Sequence, residues 1–280
     1  MSANSKAIKN RIKSVDSTLH MARAMELVAS SKMKRATDNM TRSRNYALAM
    51  SELFDGLDLS ECRNSVFVRE REEKRICIVV IAGDRGLAGG YNSNVYKRTA
   101  LLAEGKEAVI LPIGKRAVEY YRRCGYEILG EGFPSVEKFS TAECAGAARD
   151  IVERYSDGRF DALYVVYTRY ESVITQTADA RKLLPVSGVS ESGAHTAQAE
   201  FEPNSETVLE RAMPEFVSGI LYGCVCESFL SELASRRNAM SNAEDNAQEM
   251  IEKLGLEYNR ARQGAITQEI TEIVAGSQAE

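Results

Sequence analysis

The N-terminal segment carries a narrow hydrophobic stripe that recurs at helical spacing. Apolar or small residues recur every three or four positions over residues 8–22, and after a three-residue step the stripe continues over residues 25–40. A stripe this narrow is typical of a coiled-coil seam, because a helix on a globular core presents a wider apolar face. The pattern predicts one continuous helix over residues 5–53.

The C-terminal segment repeats this pattern. Residues 217–229 and 240–265 place apolar or small side chains on one helical face, and no proline follows Pro214. We therefore predict a second long helix over residues 215–274, whose small seam residues let it pack closely against the first. Its predicted seam consists of Met240, Ala243, Ala247, Met250, Leu254, Tyr258, Ala261 and Ala265.

Residues 75–185 alternate between short apolar runs and amphipathic stretches. Such alternation predicts strands that are each followed by a helix, and hence a Rossmann-like, doubly wound α/β sheet. The predicted strands cover residues 76–82, 108–113, 126–129 and 162–168, and the predicted helices cover 93–103, 115–124 and 141–155. Residues 186–205, which are rich in Ser, Gly and Glu, are expected to form an exposed loop.

The predicted fold class is α/β, with an antiparallel coiled coil of long N- and C-terminal helices flanking the Rossmann-like domain. The parts are a coiled-coil helix over residues 1–55, the α/β domain over 56–205 and a coiled-coil helix over 206–280. The chain has 280 residues and is 44% hydrophobic, which excludes intrinsic disorder. Its longest uninterrupted apolar run, residues 76–82, is far shorter than the roughly 20 residues that span a bilayer, so no membrane span is expected.

Charge is distributed unevenly between the two ends. Residues 1–50 contain ten Lys or Arg and three Asp or Glu, a net charge of +7, whereas residues 215–280 contain five and eleven, a net charge of −6. A basic segment is compatible with nucleic acid, an acidic membrane surface or a presequence. We favour pairing with the acidic segment of the same chain. Nucleic acid is not expected, since no aromatic residue precedes Tyr46 to stack on bases.

The strongest local motif is the Gly-rich turn GDRGLAGGYN, which follows the first strand. It contains Asp84, Arg85, Gly86, Gly89 and Gly90. A Gly-rich turn between strand and helix is where α/β folds bind phosphates, but the spacing matches neither GxGxxG nor a Walker loop. The simpler interpretation is that the glycines adopt positive φ and that Asp84 or Asn92 caps the next helix.

Other chemistry-bearing residues are sparse, and no catalytic or metal-binding residue is predicted. The six cysteines contain no CxxC pair, and without an export signal they are expected to be free thiols in a reducing cytosol. Cys224 and Cys226 lie about 200° apart on a helix and cannot bridge each other. Of the two histidines, His20 is expected to be solvated on the first helix and His195 lies in the Ser/Gly-rich loop.

Polar, basic and amide residues are dense in three helical segments, residues 30–36, 233–240 and 258–274. One interpretation is an ordinary solvated surface. The other is a helix gripped by loops of a partner, to which Arg236, Arg262 and Gln263 would donate hydrogen bonds.

Three blocks resemble one family. AMELVASSKMKRA (residues 24–36), GDRGLAGGYN (83–92) and RARQGAITQEITEIVAG (260–276) are similar to the gamma subunit of the F-type ATP synthase, in the same order and over essentially the whole chain. That family commonly has Cys in the Gly-rich motif where this chain has Ala88, which argues against an essential thiol there.

The resemblance implies a rotor that catalyses nothing itself. The two long helices would form the central shaft, which turns inside a ring of three alpha and three beta subunits. The α/β domain would be its foot, in contact with the epsilon subunit and the membrane-embedded c-ring. No cofactor is expected on this chain, because ATP, ADP and Mg bind the alpha and beta subunits. Membrane contact is expected only through the complex.

The resemblance also assigns partner-contact residues. Arg23 and Met25 fall where the family faces moving beta-subunit loops, and basic side chains of the first helix would meet acidic partner loops. The ring-contact set is Arg23, Met25, Lys32, Lys34, Arg35, Arg236, Arg262, Gln263, Thr267 and Glu269, and the foot-domain turn is Asp84, Arg85, Gly86, Gly89 and Gly90.

Two other function classes stay open at this point. One is a nucleotide-binding α/β enzyme with a coiled-coil arm, and the other is a coiled-coil adaptor for nucleic acid or membrane. The expected location is the cytoplasmic face of a bacterial membrane, since the sequence starts at the coiled coil without a presequence. A processed mitochondrial form is the alternative. Nothing in the sequence distinguishes proton from sodium coupling.

Overall fold

The computed structural model describes residues 3–55, 62, 64–186, 202 and 204–277, so most of the predicted loop over 186–205 lies outside the described residues. The helices are α1 (Ala3–Asp55), α2 (Tyr91–Ala103), α3 (Lys115–Cys124), α4 (Thr141–Ser156) and α5 (Ser205–Ser277). The strands are β1 (Arg75–Ile81), β2 (Glu107–Ile113), β3 (Glu127–Ile128), β4 (Ala162–Tyr170) and β5 (Gln176–Leu184). The predicted class, two long helices around an α/β domain, is confirmed.

The strands form one sheet in the order β3-β2-β1-β4-β5. β1 pairs in parallel with β2 and with β4, and β2 pairs in parallel with β3. This is the order of a doubly wound fold, in which the chain starts at the centre of the sheet and moves outward in both directions. Only the edge strand β5 runs antiparallel, against β4.

Side chains of β1 alternate between two hydrophobic cores, which is why its sequence is apolar throughout. One face of the sheet packs against α2 and α3, and the other packs against α4, the first part of α5 and the end of α1. The first core includes Ile76, Ile78, Val80, Val95, Ala117 and Tyr121, and the second includes Cys77, Val79, Ile81, Ile151, Val217 and Phe54.

The predicted start of the C-terminal helix at residue 215 is wrong. α5 begins at Ser205 and contains Pro214 in its interior. A proline inside a helix costs about 3 kcal/mol. Leu209, Met213 and Val217 around it are fully buried, and burying each such side chain stabilises the fold by about 1.5–3 kcal/mol, which outweighs the lost backbone hydrogen bond.

The sequence pattern also missed β5. Its residues, QTADARKLL, include three charged side chains and have no run of strand-forming apolar residues. Antiparallel backbone pairing with β4 along Tyr170↔Gln176 to Leu163↔Leu184 forms the strand instead. A prediction from side-chain pattern does not detect an edge strand that depends on this backbone pairing.

The chain divides into two compact units. Unit 1 contains Met1–Ala29 and Arg236–Glu280, and unit 2 contains Ser30–Ser235. The boundary between the units therefore falls inside each long helix. The predicted parts 1–55, 56–205 and 206–280 instead place their boundaries at the ends of the helices.

In unit 1, the two helices run antiparallel and are joined by ion pairs. Arg23 contacts Glu244 at 2.5 Å, and Arg237 contacts Glu26 at 3.6 Å. The later residue of α1 thus pairs with the earlier residue of α5, as expected for antiparallel helices. The predicted seam residues Leu19, Ala22, Met240, Ala247 and Leu254 are buried.

One predicted seam residue is wrong. The side chain of Met250 is 42% exposed, and the neighbouring Ile251 is partly buried in its place. The stripe therefore runs from Ala247 through Ile251 to Leu254, a four-then-three spacing that keeps the same helical face toward the partner helix.

In unit 2, the helix pair continues with small and flexible side chains. Met33 and Ala36 of α1 form a buried cluster with Leu230, Leu233 and Ala234 of α5. The two segments approach so closely near the end of α1 that a Cβ on Gly219 would lie 2.6 Å from the ring of Tyr46.

One stretch of α5 is apolar enough to cross a membrane by length and composition. Within Ser205–Gln268 an 18-residue window has a mean hydropathy of 1.3, and 78% of that window is buried inside the protein. A criterion based on uninterrupted apolar runs overlooks this window. Because most of it is buried, we interpret it as the core helix of the α/β domain.

Candidate functional site

The Gly-rich turn, residues 83–90, leaves the carboxyl end of β1. In the strand order, β1 lies between β2 and β4, where the sheet topology changes direction. Doubly wound folds bind ligands in the crevice at this switch point. The turn is therefore the place to look for a phosphate site.

Side chains of the turn bind the surrounding backbone. The Asp84 carboxylate accepts a hydrogen bond from the Val136 N–H at 2.9 Å, and Asn92 Oδ1 accepts one from the Gly83 N–H at 2.9 Å. The N-cap of α2 is Gly90, which makes no side-chain cap. The prediction that Asp84 or Asn92 caps α2 is wrong. Asp84 instead binds the segment after β3, and Asn92 closes the turn on itself through Gly83 and Arg85.

The glycines of the turn have unequal conformational roles. Gly89 has φ of 56°, which confirms that a left-handed residue is needed there, whereas Gly90 has φ of −81° and needs no such freedom. Leu87 adopts φ of 61° although it is not glycine. Leu87 is 61% exposed, and Arg85, two positions earlier in the sequence, is also exposed.

The switch-point crevice is filled by α5. The Tyr91 hydroxyl donates to the Ser228 carbonyl oxygen at 2.9 Å and also lies 2.9 Å from Ser228 Oγ. Ser228 Oγ accepts from the Thr168 N–H at 3.1 Å, and Ser231 Oγ donates to the Thr168 carbonyl oxygen at 3.0 Å. These four residues are all buried.

The start of the turn packs directly on α5. A Cβ on Gly83 would lie 2.7 Å from both Cδ and Oε1 of Glu232, so glycine is needed for the carboxylate to come this close. Glu232 is only 3% exposed. α5 thus contacts both ends of the turn, at Gly83 and at Tyr91.

On α1, the predicted contact residues occupy different environments. Arg23 is exposed but forms the ion pair with Glu244, and Met25 is half-buried in the seam region. Lys32 Nζ lies 2.6 Å from Glu137 Oε1. The two remaining basic residues, Lys34 and Arg35, are exposed.

On α5, the structure separates one predicted contact residue from the others. Arg236 is buried, with 8% exposure. Arg262, Gln263 and Thr267 are exposed, and the Thr267 hydroxyl donates to the Gln263 carbonyl oxygen at 3.0 Å. Glu269 lies within α5, but its side chain is outside the described residues.

Sequence reasoning missed a set of exposed apolar side chains on the helix pair of unit 1. In the sequence, these residues could be noticed only as hydrophobic residues away from the predicted seam. That property does not distinguish an ordinary surface residue from one that contacts a partner. Each is at least 42% exposed, and the set is Met21, Leu27, Val28, Met250, Leu256, Ile266, Ile270 and Val274. Ile266, Ile270 and Val274 are spaced four residues apart and therefore share one face of α5. A contiguous exposed apolar face is typical of a surface that binds a partner.

The thiols and histidines offer little chemistry. The six cysteines all lie among the described residues and are not joined in disulfides, and Cys124 is the exposed one. Burial raises the pKa of Cys77 and of Cys224 to about 12, so both stay protonated at neutral pH. His20 is exposed as predicted, 3.8 Å from Asp16, while His195 lies outside the described residues. Among the described residues, no cluster of three or more His, Cys, Asp or Glu is placed to hold a metal ion.

Comparison with known proteins decides the family. A family model described as ATP synthase matches residues 4–279. The ATP synthase gamma chain of Ruminococcus albus is 42% identical over 281 residues, which cover 98% of this chain and 98% of the relative. The chain belongs to the ATP synthase gamma-chain family. The family resemblance of the three sequence blocks is thereby confirmed.

Further gamma-chain relatives agree over the full length. The sodium ion specific ATP synthase gamma chain of Acetobacterium woodii is 38% identical over 300 residues, covering 100% of this chain and 99% of the relative. A chain of the Euglena gracilis mitochondrial ATP synthase structure has the same fold, with a TM-score of 0.72 at 18% identity, covering 99% of this chain and 94% of its own length. The partner-contact residues stay predictions, since family membership does not assign them one by one.

Proposed function

We propose that this gamma-family chain is the central rotor subunit of an F-type ATP synthase. It couples ion flow through a membrane c-ring to catalysis on beta subunits and has no catalytic centre of its own. The observation that carries the proposal is the set of exposed apolar side chains on the paired helices of unit 1, which the seam leaves uncovered. Those side chains are available to a surrounding alpha/beta ring.

The proposed partners are a ring of three alpha and three beta subunits, the epsilon subunit and the c-ring. We assign the ring contacts to the ten residues predicted above together with the exposed apolar set. Lys34, Arg35 and Arg262 are exposed, which suits attraction to acidic loops and affects association rate and register more than affinity. Arg23 needs to share or release Glu244 to bind a partner, because its guanidinium already contacts that carboxylate at 2.5 Å.

We infer no cofactor on this chain. The switch-point crevice supports this, since Glu232 of α5 packs on Gly83 and Ser228 and Ser231 of α5 are hydrogen-bonded to Thr168. ATP, ADP and Mg are assigned to the partner subunits. The complex places the chain at a membrane as a peripheral subunit, and we propose the cytoplasmic face of a bacterial membrane as its location.

Reconstitution tests the proposal. The full chain is co-expressed with alpha and beta subunits of a related bacterium, and the purified complex is assayed for subunit composition and ATP hydrolysis. A stable complex of three alpha, three beta and one copy of this chain is expected. Failure to assemble any ATP-hydrolysing complex overturns the rotor assignment.

A matched pair of variants tests the surface that carries it. Ile266→Asp with Ile270→Asp places carboxylates on the exposed apolar face of α5, while Leu101→Asp places one on the exposed face of α2, where Leu101 is 66% exposed. Burying an apolar side chain of this size is favourable by about 1.5–3 kcal/mol and burying a carboxylate is costly. We expect the α5 variant to lose ring assembly or ATP hydrolysis and Leu101→Asp to retain both. Equal behaviour of the two variants contradicts the proposed contact surface.

A further inference from the structure

The end of β4 extends beyond its parallel neighbour. The pairing of β1 with β4 stops at Val80↔Val166, while β4 continues to Tyr170 and stays paired with β5 on its other side. Beyond Val166, the edge of β4 that β1 would cover therefore needs other hydrogen-bond partners.

Side chains of α5 supply those partners. Thr168 is two residues beyond Val166, so its backbone groups face the same edge of the strand. Its N–H donates to Ser228 Oγ at 3.1 Å, and its carbonyl oxygen accepts from Ser231 Oγ at 3.0 Å. The Tyr170 N–H, two residues further, donates to Glu227 Oε1 at 3.0 Å. Thr168 and Tyr170 of β4 are thus hydrogen-bonded to side chains of α5, at the edge where a neighbouring strand would otherwise pair with them.

A second element is joined to the same point of α5. The Tyr91 hydroxyl, at the start of α2, donates to the Ser228 carbonyl oxygen at 2.9 Å and lies 2.9 Å from Ser228 Oγ. Since Ser228 Oγ accepts from Thr168, its own proton is available to Tyr91. Ser228 and Ser231 are both fully buried, with 0% exposure, so water does not compete for these bonds.

We propose that Ser228 and Ser231 are positioning residues that transmit torque between the sheet of the α/β domain and α5. This inference rests on the proposed rotor function. The remaining contacts between α5 and this domain include the apolar core and two further hydrogen bonds, from the Tyr170 N–H to Glu227 and from Ser235 to Gln176. Hydrophobic burial is non-directional, so the apolar core specifies one register of α5 on the sheet less strictly than hydrogen bonds do. Hydrogen bonds depend on angle and distance, so these bonds hold α5 in one rotational and axial register on the sheet. α5 is one helix that ends at Ser277.

The test compares ion pumping with ATP hydrolysis in the complete enzyme. The full complex, with all its subunits, is reconstituted into lipid vesicles, and ATP-driven ion uptake is measured beside ATP turnover. The variants are Ser228→Ala with Ser231→Ala, and the milder Tyr91→Phe. Ile151→Val is the matched control, because it loosens the core that α5 shares with the sheet without touching these hydrogen bonds.

Under the proposal, the double serine variant hydrolyses ATP within roughly twofold of the wild type, but its ions pumped per ATP fall by roughly five- to tenfold. Tyr91→Phe shows a smaller fall, and Ile151→Val keeps the wild-type ratio. A role in stability alone lowers pumping and hydrolysis together. An unchanged ratio in both the double serine variant and Tyr91→Phe overturns the inference. If the double variant does not assemble, the ratio for Tyr91→Phe decides. A wild-type chain that assembles no pumping enzyme refutes the rotor function instead, which is a separate result.

Discussion

The Glu73 side chain lies at the end of the sheet opposite to the Gly-rich turn, where it contacts β4, β5 and Lys106, the residue before β2. Its carboxylate accepts hydrogen bonds from Lys106 Nζ at 2.5 Å and from the Tyr164 hydroxyl at 2.7 Å, and it lies 2.8 Å from Lys182 Nζ. Burial raises the pKa of Glu73, but the hydrogen bonds from Lys106, Lys182 and Tyr164 together outweigh burial and lower the pKa to about 2. The ionised form therefore stabilises the fold.

The size of this contribution follows from the change in pKa. A fall from 4.5 to about 2 corresponds to at most about 3 kcal/mol. The side chain is 19% exposed, and solvent screening reduces the expected value to about 1–2 kcal/mol. Because the folded-state pKa lies below the unfolded value, the contribution is complete above pH 4.5 and is lost as the pH falls toward about 2.

Replacement by glutamine removes the charge and keeps the shape. We expect Glu73→Gln to lower the free energy of unfolding by about 1–2 kcal/mol near pH 7, and the difference from wild type to shrink to roughly half near pH 3. Urea unfolding of the full chain, followed by circular dichroism at both pH values, measures this. Glu72→Gln is the control, because Glu72 is 78% exposed beside Lys74. The reasoning is refuted if the two variants have the same stability near pH 7, or if the effect of Glu73→Gln does not depend on pH.

Further predictions concern other parts of the α/β domain. Gly114→Ala, at φ of 102°, places a Cβ 1.9 Å from a backbone carbonyl oxygen, so we expect no soluble folded chain in expression trials, and normal yield would contradict this. Ser228→Ala removes the acceptor of the buried Thr168 N–H and should cost about 2 kcal/mol, whereas Tyr91→Phe keeps that acceptor and should cost about 1 kcal/mol. Denaturant midpoints check this order, which the reverse ranking would contradict. Cys124 is the only exposed thiol of the six, so a thiol reagent should titrate one group in the native chain and six in urea, and rapid native reaction of Cys77 would disprove the burial argument.

Periodic patterns along the chain predicted the long helices well. A coiled-coil seam repeats every three or four residues, so the partner helix is implied by the stripe itself. Leu19, Ala22 and Ala247 are buried as predicted. The mistaken Met250 shows the limit, because Met250 and Ile251 are adjacent and equally apolar, and only packing decides which one faces the seam.

Contacts between distant segments were beyond the reach of such patterns. β5 is polar and depends on backbone pairing with β4. The α5 helix starts ten residues earlier than the seam pattern predicted, because tertiary burial around Pro214 outweighs the local effect of the proline. Asp84 binds the Val136 N–H, 52 residues away in the sequence, and the Lys115 N–H at the start of α3, 31 residues away. Its predicted role as the cap of α2 was therefore wrong, because its partners are set by contacts between distant segments.

The sequence by itself determined the arrangement of two long helices around a doubly wound domain, since helical and strand periods are local properties of side-chain order. Its three motifs also determined the family. Only the tertiary structure decided how the Gly-rich turn is used. The turn lies where such folds bind phosphates, yet Ser228, Ser231 and Glu232 of α5 occupy that crevice. These residues follow the turn by more than a hundred positions, and no local pattern relates buried hydroxyls on a helix to an unpaired strand edge.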